Sequence, residues 1–423
     1  MCLLFHAALV NLVGKLFTTS QLPISTMRSY ASLAALLRAL SKHYCQVLLW
    51  TAVVLLILLN FVSLTIGTDV WQVPSIPVYC SASAPSPTRE PRVALIVVHT
   101  GYSPGWCRMQ VSSILSRVSV TTIGMGANYT HTSRPSLLLD CITDEELRDE
   151  DVVVVFDGGD TMFTGPLGIK QAVEDFVATT APTADAFNAT AVHRGEATAP
   201  LLFESDPVCY APQMELMVPW GPQENFAKCG WYYERVWEAA KSSADQRMVR
   251  FLASGYRFLA GGGMVGRVWA FREAYKAYAS LLATSDKWWC DQSIWSLLHV
   301  WSVTRDTNVT ADFRIRYGLL SLDYNNSFFL TPRSGAFGSP ALYHFPGSPY
   351  FWDKMPTLLN RTTWVDWLRY SPDVMNETRD FVQNATVKIY DADRKAKTIS
   401  FPEVCSLNDV LNPEWLALPL SKW

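Results

Sequence analysis

Charge is scarce in this chain: Asp, Glu, Lys and Arg supply 17% of its residues, against about 25% in an average soluble protein. Neither sign is in excess, with 35 basic and 38 acidic residues among 423, so nothing marks a nucleic-acid-binding surface and no nucleic-acid partner is expected. None of the nine cysteines forms a Cys-x-x-Cys pair, which argues against a structural zinc site. A repeat with a period of about 20 to 50 residues is also absent, which argues against a solenoid.

Acidic residues are missing altogether before Asp69, whereas Lys15, Arg28, Arg38 and Lys42 all precede it. Within that acid-free region, Gln46 to Gly67 (QVLLWTAVVLLILLNFVSLTIG) carries no charge. As a helix it would span about 33 Å, enough to cross a bilayer core. A buried core helix would seldom stay uncharged for so long, and the run is too long and too far from Met1 for an ordinary cleaved signal peptide. The expectation is a single transmembrane signal-anchor helix at 46–67. Its basic flank places 1–45 in the cytoplasm and the rest in the lumen of the endoplasmic reticulum or Golgi, a type II topology.

What the chain has in quantity lies mostly beyond that segment. The seven glycosylation sequons, at Asn128, Asn188, Asn308, Asn325, Asn360, Asn376 and Asn384, all follow it, as expected of lumenal chain. Seven cysteines follow it too. They are expected to form disulfides with at least one left over, in a pairing that spacing does not fix. The 16 Trp, 17 Tyr and 20 Phe call for a large aromatic core or pocket.

Residues 68–91 are rich in Pro and Ser and read as an extended stem. From Arg92 the pattern changes to short apolar runs alternating with helical stretches: VALIVV, CRMQVSSILSRV, VTTIGMG, the acidic and helix-like TDEELRDE, then VVVVF. Such alternation predicts an α/β fold with a mostly parallel central sheet flanked by helices. The domain is expected over 92–395, followed by a tail at 396–423.

VVVVF runs directly into Asp157-Gly158-Gly159-Asp160. Two carboxylates at the carboxyl end of a buried strand stand where open α/β sheets bind ligands, and hard oxygen donors suit Mg²⁺ or Mn²⁺. An acidic turn with no ligand is the plainer reading of the same residues.

Read in order, GMGANY (124–129), VVVVFDGGD (152–160), LLFESDPVCYAP (201–212), FLAGGGMVG (258–266), CDQ (290–292), LDYNNSFF (322–329) and the His344 region resemble the glycosyltransferase domain of procollagen lysyl hydroxylases, over roughly 92 to 350. The resemblance implies a GT-A-like fold and transfer of a hexose from a UDP-sugar to a hydroxyl of a lumenal glycan, glycoprotein or glycolipid. It implies Asp157, Asp160 and His344 as ligands of Mn²⁺ (or Mg²⁺), and Tyr129, Asp157, Gly158 and Gly347 at the nucleotide sugar. Asp206 and Asp291 take the catalytic or acceptor-side positions, with Tyr210 an aromatic near them. Four departures stand out: Gly159 replaces an aromatic, Ala260 an Asn, Trp289 and Cys290 acids, and His-Phe-Pro-Gly a His-Gly-Asn-Gly loop. They keep open a second reading, a non-catalytic lumenal adaptor of the same fold. A metal-dependent hydrolase fits less well, because paired-metal hydrolases carry more His and Asp ligands than cluster here.

Each of these residues also has a reading with no ligand. His344 could simply end a strand, Asp206 could hold a turn before Pro207, and Asp291 could cap a helix beginning at Gln292. Gly261 to Gly263 could cradle phosphate or let a strand pack closely. Because a protonated imidazole cannot ligate a metal, loss of metal is expected as the pH falls through about 6 to 7.

Overall fold

The computed structural model describes residues 90–332, 340–346 and 372–407, all within the compact unit Ser75–Trp423. The expected anchor helix at 46–67, the tail before it, nearly all of the stem, Gly347 and Asn360 lie outside the described residues. Among those described, no helix is long and apolar enough to cross a membrane.

Eleven strands are described: β1 (Val93–Val98), β2 (Val120–Met125), β3 (Val152–Asp157), β4 (Thr161–Phe163), β5 (Leu201–Asp206), β6 (Phe258–Arg267), β7 (Leu320–Leu322), β8 (Phe329–Leu330), β9 (Leu342–His344), β10 (Thr386–Asp391) and β11 (Ala396–Ser400). Eight of them make one sheet in the order β11-β10-β2-β1-β3-β6-β5-β7. Pairing is parallel for β1 with β2 and β3, β2 with β10, and β5 with β7; it is antiparallel for β3 with β6, β5 with β6, and β10 with β11. The expected α/β fold with a mostly parallel central sheet is thus present, mixed because β6 runs against both of its neighbours and β11 against β10.

The unbroken apolar runs of β1 and β3 follow from burial on both faces. Ala94, Ile96, Val98, Val153 and Val155 enter one core, while Leu95, Val97, Val152, Val154 and Phe156 enter the other. Helices cover the two faces. The first, α1 (Pro104–Leu115), starts where Ser103 Oγ accepts from Trp106 N at 3.2 Å, a side-chain cap for an orphan amide. Four more enter the account below: α2 (Arg134–Asp144), α3 (Asn225–Lys241), α4 (Asp291–Thr304) and α5 (Phe401–Val404).

Two boundaries differ from expectation. The acidic stretch from Thr143 to Glu150 is mostly a turn, since α2 ends at Asp144 and Glu146 has φ of 50°. Acids crowded at a helix C-terminus oppose its partial negative charge. Asp151 closes the turn instead, its carboxylate accepting from Arg92 N at 2.7 Å and Arg148 N at 2.8 Å. Nor does the domain stop at 395. Residues 396–400 form β11 against β10, and a disulfide joins Cys405 to Cys107 on α1. The expected boundary thus falls within the hairpin, leaving β10 in the domain and β11 in the tail.

Candidate metal centre

The strands β1, β3 and β5 point the same way, so their carboxyl ends share one edge of the sheet with the start of β6. Asp157 is the last residue of β3, and the chain turns through Gly158 and Gly159 to Asp160 before entering β4. In a second, three-stranded sheet, β4 pairs antiparallel with β9, placing Thr161 opposite His344. The amide of Phe345 donates to Asp160 O at 2.8 Å. Strand pairing therefore carries His344 to the acidic turn, with no metal needed to gather them.

The imidazole of His344 is buried, and its two nitrogens have different surroundings. Nδ1 donates to Glu204 Oε2 at 2.6 Å. Nε2 has no hydrogen-bond partner, although it lies 3.7 Å from both Asp157 Oδ2 and Asp160 Oδ1. One ligand atom from each of the three residues falls within 4.8 Å of the others. A buried ring nitrogen left unpaired beside two carboxylates is costly unless something positive is shared among them. An imidazole whose far nitrogen is held by a carboxylate is the usual setting of a metal-bound histidine. The donor set fits a divalent cation. Room for the ring depends on Gly262, where a Cβ would stand 2.0 Å from His344 Cε1.

Titration reflects the same crowding. Burial raises Asp160 to about 6 against the pull of His344. Burial opposes the charge of His344, but Glu204, Asp160 and Asp157 outweigh it and lift the imidazole to about 10. The ordinary imidazole range near 6 to 7 does not apply at this site.

Arg134, at the start of α2, is the second residue that the sequence did not single out. Its Nη2 is 2.6 Å from Asp157 Oδ1 and its Nε 3.5 Å from Asp291 Oδ2, and Nη1 donates to Gly261 O. Burial opposes its charge, yet Asp157 and Asp291 hold the guanidinium firmly protonated. Asp291 opens α4 with Cys290 as the N-cap, so it is a first-turn residue and not the cap itself. Its Oδ1 accepts from Gln292 N at 2.9 Å, and burial raises its pKa against the pull of Arg134.

Asp157, Asp160, His344, Asp206 and Asp291 all line one cavity of ≈ 690 Å³. A separate cavity of ≈ 260 Å³ lies by Phe176, Arg250 and Asn325 and holds none of them. The chain matches neither a known family model nor a curated protein. The geometry therefore stands by itself.

The remaining expected residues divide. Asp206 ends β5; its Oδ1 accepts from Val208 N at 2.6 Å, which bears out the turn reading for that oxygen, and Oδ2 lies 3.3 Å from Thr331 Oγ1. Tyr129 is not on the cavity wall and meets it through Arg134, whose Nε donates to its hydroxyl at 3.3 Å. Gly158 is off the wall too, since a Cβ there would meet Val97 Cγ2 at 2.8 Å and His99 Cβ at 3.1 Å. Its smallness serves packing against β1 and not a ligand. Gly261, Gly262 and Gly263 face the side chains of Gln292, His344 and Phe329 respectively, so close packing accounts for the glycine run.

Glu204 is completely buried and shares Thr331 with Asp206, its Oε1 accepting from Thr331 Oγ1 at 2.9 Å. The signal that could have found it is an acid directly after the apolar run Leu201-Leu202-Phe203, in a strand buried along its whole length, which demands a partner. No comparable signal marks Arg134, because a basic residue before Pro135 at a helix start is ordinary.

Proposed function

We propose that this protein is a metal-dependent glycosyltransferase that moves a hexose from a UDP-sugar to a hydroxyl of a lumenal glycan, glycoprotein or glycolipid. The observation that carries the reading is the buried Nε2 of His344, which has no hydrogen bond and lies 3.7 Å from both Asp157 and Asp160, on the wall of a cavity large enough for a nucleotide sugar. The ordered resemblance to the procollagen lysyl hydroxylase glycosyltransferase domain supports it. So does the place of the cluster at the carboxyl ends of parallel strands.

Asp157, Asp160 and His344 would hold Mn²⁺ or Mg²⁺, which supplies neutralisation of the diphosphate leaving group. Arg134 adds a fixed positive charge on the same wall, held by Asp157 and Asp291. In the transfer, the anomeric carbon loses its bond to the diphosphate and gains one to the acceptor oxygen, whose proton must leave. Asp291 and Asp206 are the cavity carboxylates available to orient that hydroxyl and receive its proton. Anchorage by the 46–67 helix in a Golgi or endoplasmic reticulum membrane, with this domain in the lumen, completes the proposal.

The adaptor reading is favoured by one observation. The wall positions that correspond to the family's Asn and acids hold Ala260, Trp289 and Cys290. Purified protein with Mn²⁺, offered a panel of UDP-sugars, separates the two. Mn²⁺-dependent release of UDP supports the transferase, whereas metal and UDP binding without release from any donor supports the adaptor.

A further inference from the structure

One side of the cavity carries aromatic rings that the chain leaves in water. Trp289 is 48% exposed, Phe226 51% and Tyr210 38%, and all three belong to the wall that also holds Asp206 and Asp291. Exposed apolar area inside a cleft marks a surface kept for a ligand.

These rings are held in place. The centroids of Tyr210 and Phe226 are 5.6 Å apart, and the Cys209–Cys229 disulfide ties the loop after β5 to α3. Buried Lys228 donates through Nζ to Val218 O and Trp220 O, both at 2.9 Å. Gln213 Oε1 accepts from Trp289 N at 2.6 Å and Cys290 N at 2.7 Å, and Gln292 Nε2 donates to Tyr210 O at 2.8 Å. The three segments that present the rings, the loop after β5, α3 and the residues leading into α4, are thus tied together, a preorganised platform that loses little freedom on binding.

Rings beside carboxylates narrow the chemistry of the occupant. A pyranose has one face of C–H bonds that packs on aromatic carbon, and a rim of hydroxyls that donate to carboxylates. Arg134, the one arginine or lysine on the described wall, is already paired with Asp157 and Asp291, so the rings offer a phosphate no unpaired cation, and a nucleobase would need the rings but not both acids. We propose that Trp289, Tyr210 and Phe226 form an acceptor subsite for a pyranose ring, so that the hydroxyl glycosylated belongs to a sugar of a glycan and not to a peptide side chain. This rests on the glycosyltransferase reading above.

Saturation-transfer NMR on the full-length protein with Mn²⁺ and UDP, using methyl β-galactopyranoside and a serine-containing peptide as probes, tests it. The expected result is transfer to the pyranoside concentrated on H3, H4 and H5, the protons of its apolar face. Binding should weaken about tenfold in Trp289→Ala and in Phe226→Ala, and be largely kept in Trp289→Phe, which retains a ring. Even transfer around the pyranoside, binding of the peptide in its place, or unchanged affinity in both alanine variants that remain folded would overturn the inference. Mn²⁺ and UDP binding is read separately by calorimetry on the parent protein. A missing donor site is thereby told apart from a missing pyranoside site.

Discussion

If the triad binds a metal as proposed, uptake at His344 must displace a proton. In the metal-free protein the imidazole sits at about 10, since Glu204 and the two aspartates outweigh the effect of burial. Metal and proton compete for Nε2, so affinity rises with pH up to about 10, by about one power of ten per unit once Asp160, at about 6, has ionised. At pH 7 that competition lowers affinity by about three powers of ten, ~4 kcal/mol. Below pH 6 a second proton, on Asp160, steepens the loss. In the absence of metal the sign reverses: the stabilisation from charged His344 is fully present below about 6.5, its ordinary value, and is lost as pH rises through about 10. The decisive perturbation is Glu204→Gln, which keeps an acceptor for Nδ1 and removes the charge that contributes most to holding the proton. Calorimetric Mn²⁺ titrations at pH 6.5, 7.5 and 8.5 should show roughly a hundredfold gain in affinity for the parent over that range. The Gln variant should show a much flatter curve. A flat parent curve, or an equally steep one in Glu204→Gln, would refute the reasoning.

Three further outcomes follow from the geometry. Gly262→Ala should drive the His344 ring from its place, because the new Cβ would lie 2.0 Å from Cε1; calorimetry should show Mn²⁺ affinity down at least tenfold and thermal unfolding a loss of about 1–3 kcal/mol, and parent-like affinity would contradict it. Asp160→Asn should abolish Mn²⁺-dependent UDP binding with the fold intact, since its side chain is partly exposed, at 25%, whereas Asp157→Asn should do so at a cost in stability because it also takes a charge partner from buried Arg134; unfolding of Asp160→Asn, with normal UDP affinity in whatever stays folded, would mark the acidic turn as structural. Finally, Asn128, Asn188, Asn308, Asn325, Asn376 and Asn384 are exposed, so glycosidase treatment of the membrane-bound protein should increase its gel mobility, and absence of any shift would count against lumenal exposure.

The alternation of apolar runs and helical stretches was enough to read the central strands, because β1 and β3 are buried on both faces and every residue of β1, and of β3 up to Phe156, is apolar for that reason. The hairpin of β10 and β11 escaped notice because an edge hairpin needs only Val387 and Ile389 buried and looks like solvated chain. At the site, the Asp157–Asp160 turn was legible from its strand, and His344 only through the family resemblance. The pairing of β4 with β9 that unites them involves three residues a side, far too few to predict. Glu204 reaches His344 across 140 residues and Arg134 reaches Gly261 across 127, partners that no local pattern encodes.

The bond between Cys107 and Cys405 spans 298 residues, and β10 lies along the outer side of β2. Both belong to the last part of the domain to be synthesised. Until β10 has been made, β2 is an open sheet edge, able to pair with other chains, and until Cys405 has been made, Cys107 is a thiol without its partner. Closing so long a loop removes freedom from the unfolded chain worth about 5–6 kcal/mol in the chain-entropy treatment. Folding of the domain should therefore depend on oxidation of two thiols far apart in the chain, and variants lacking Cys405 should be less stable even though Asp157, Asp160 and His344 are all present in them.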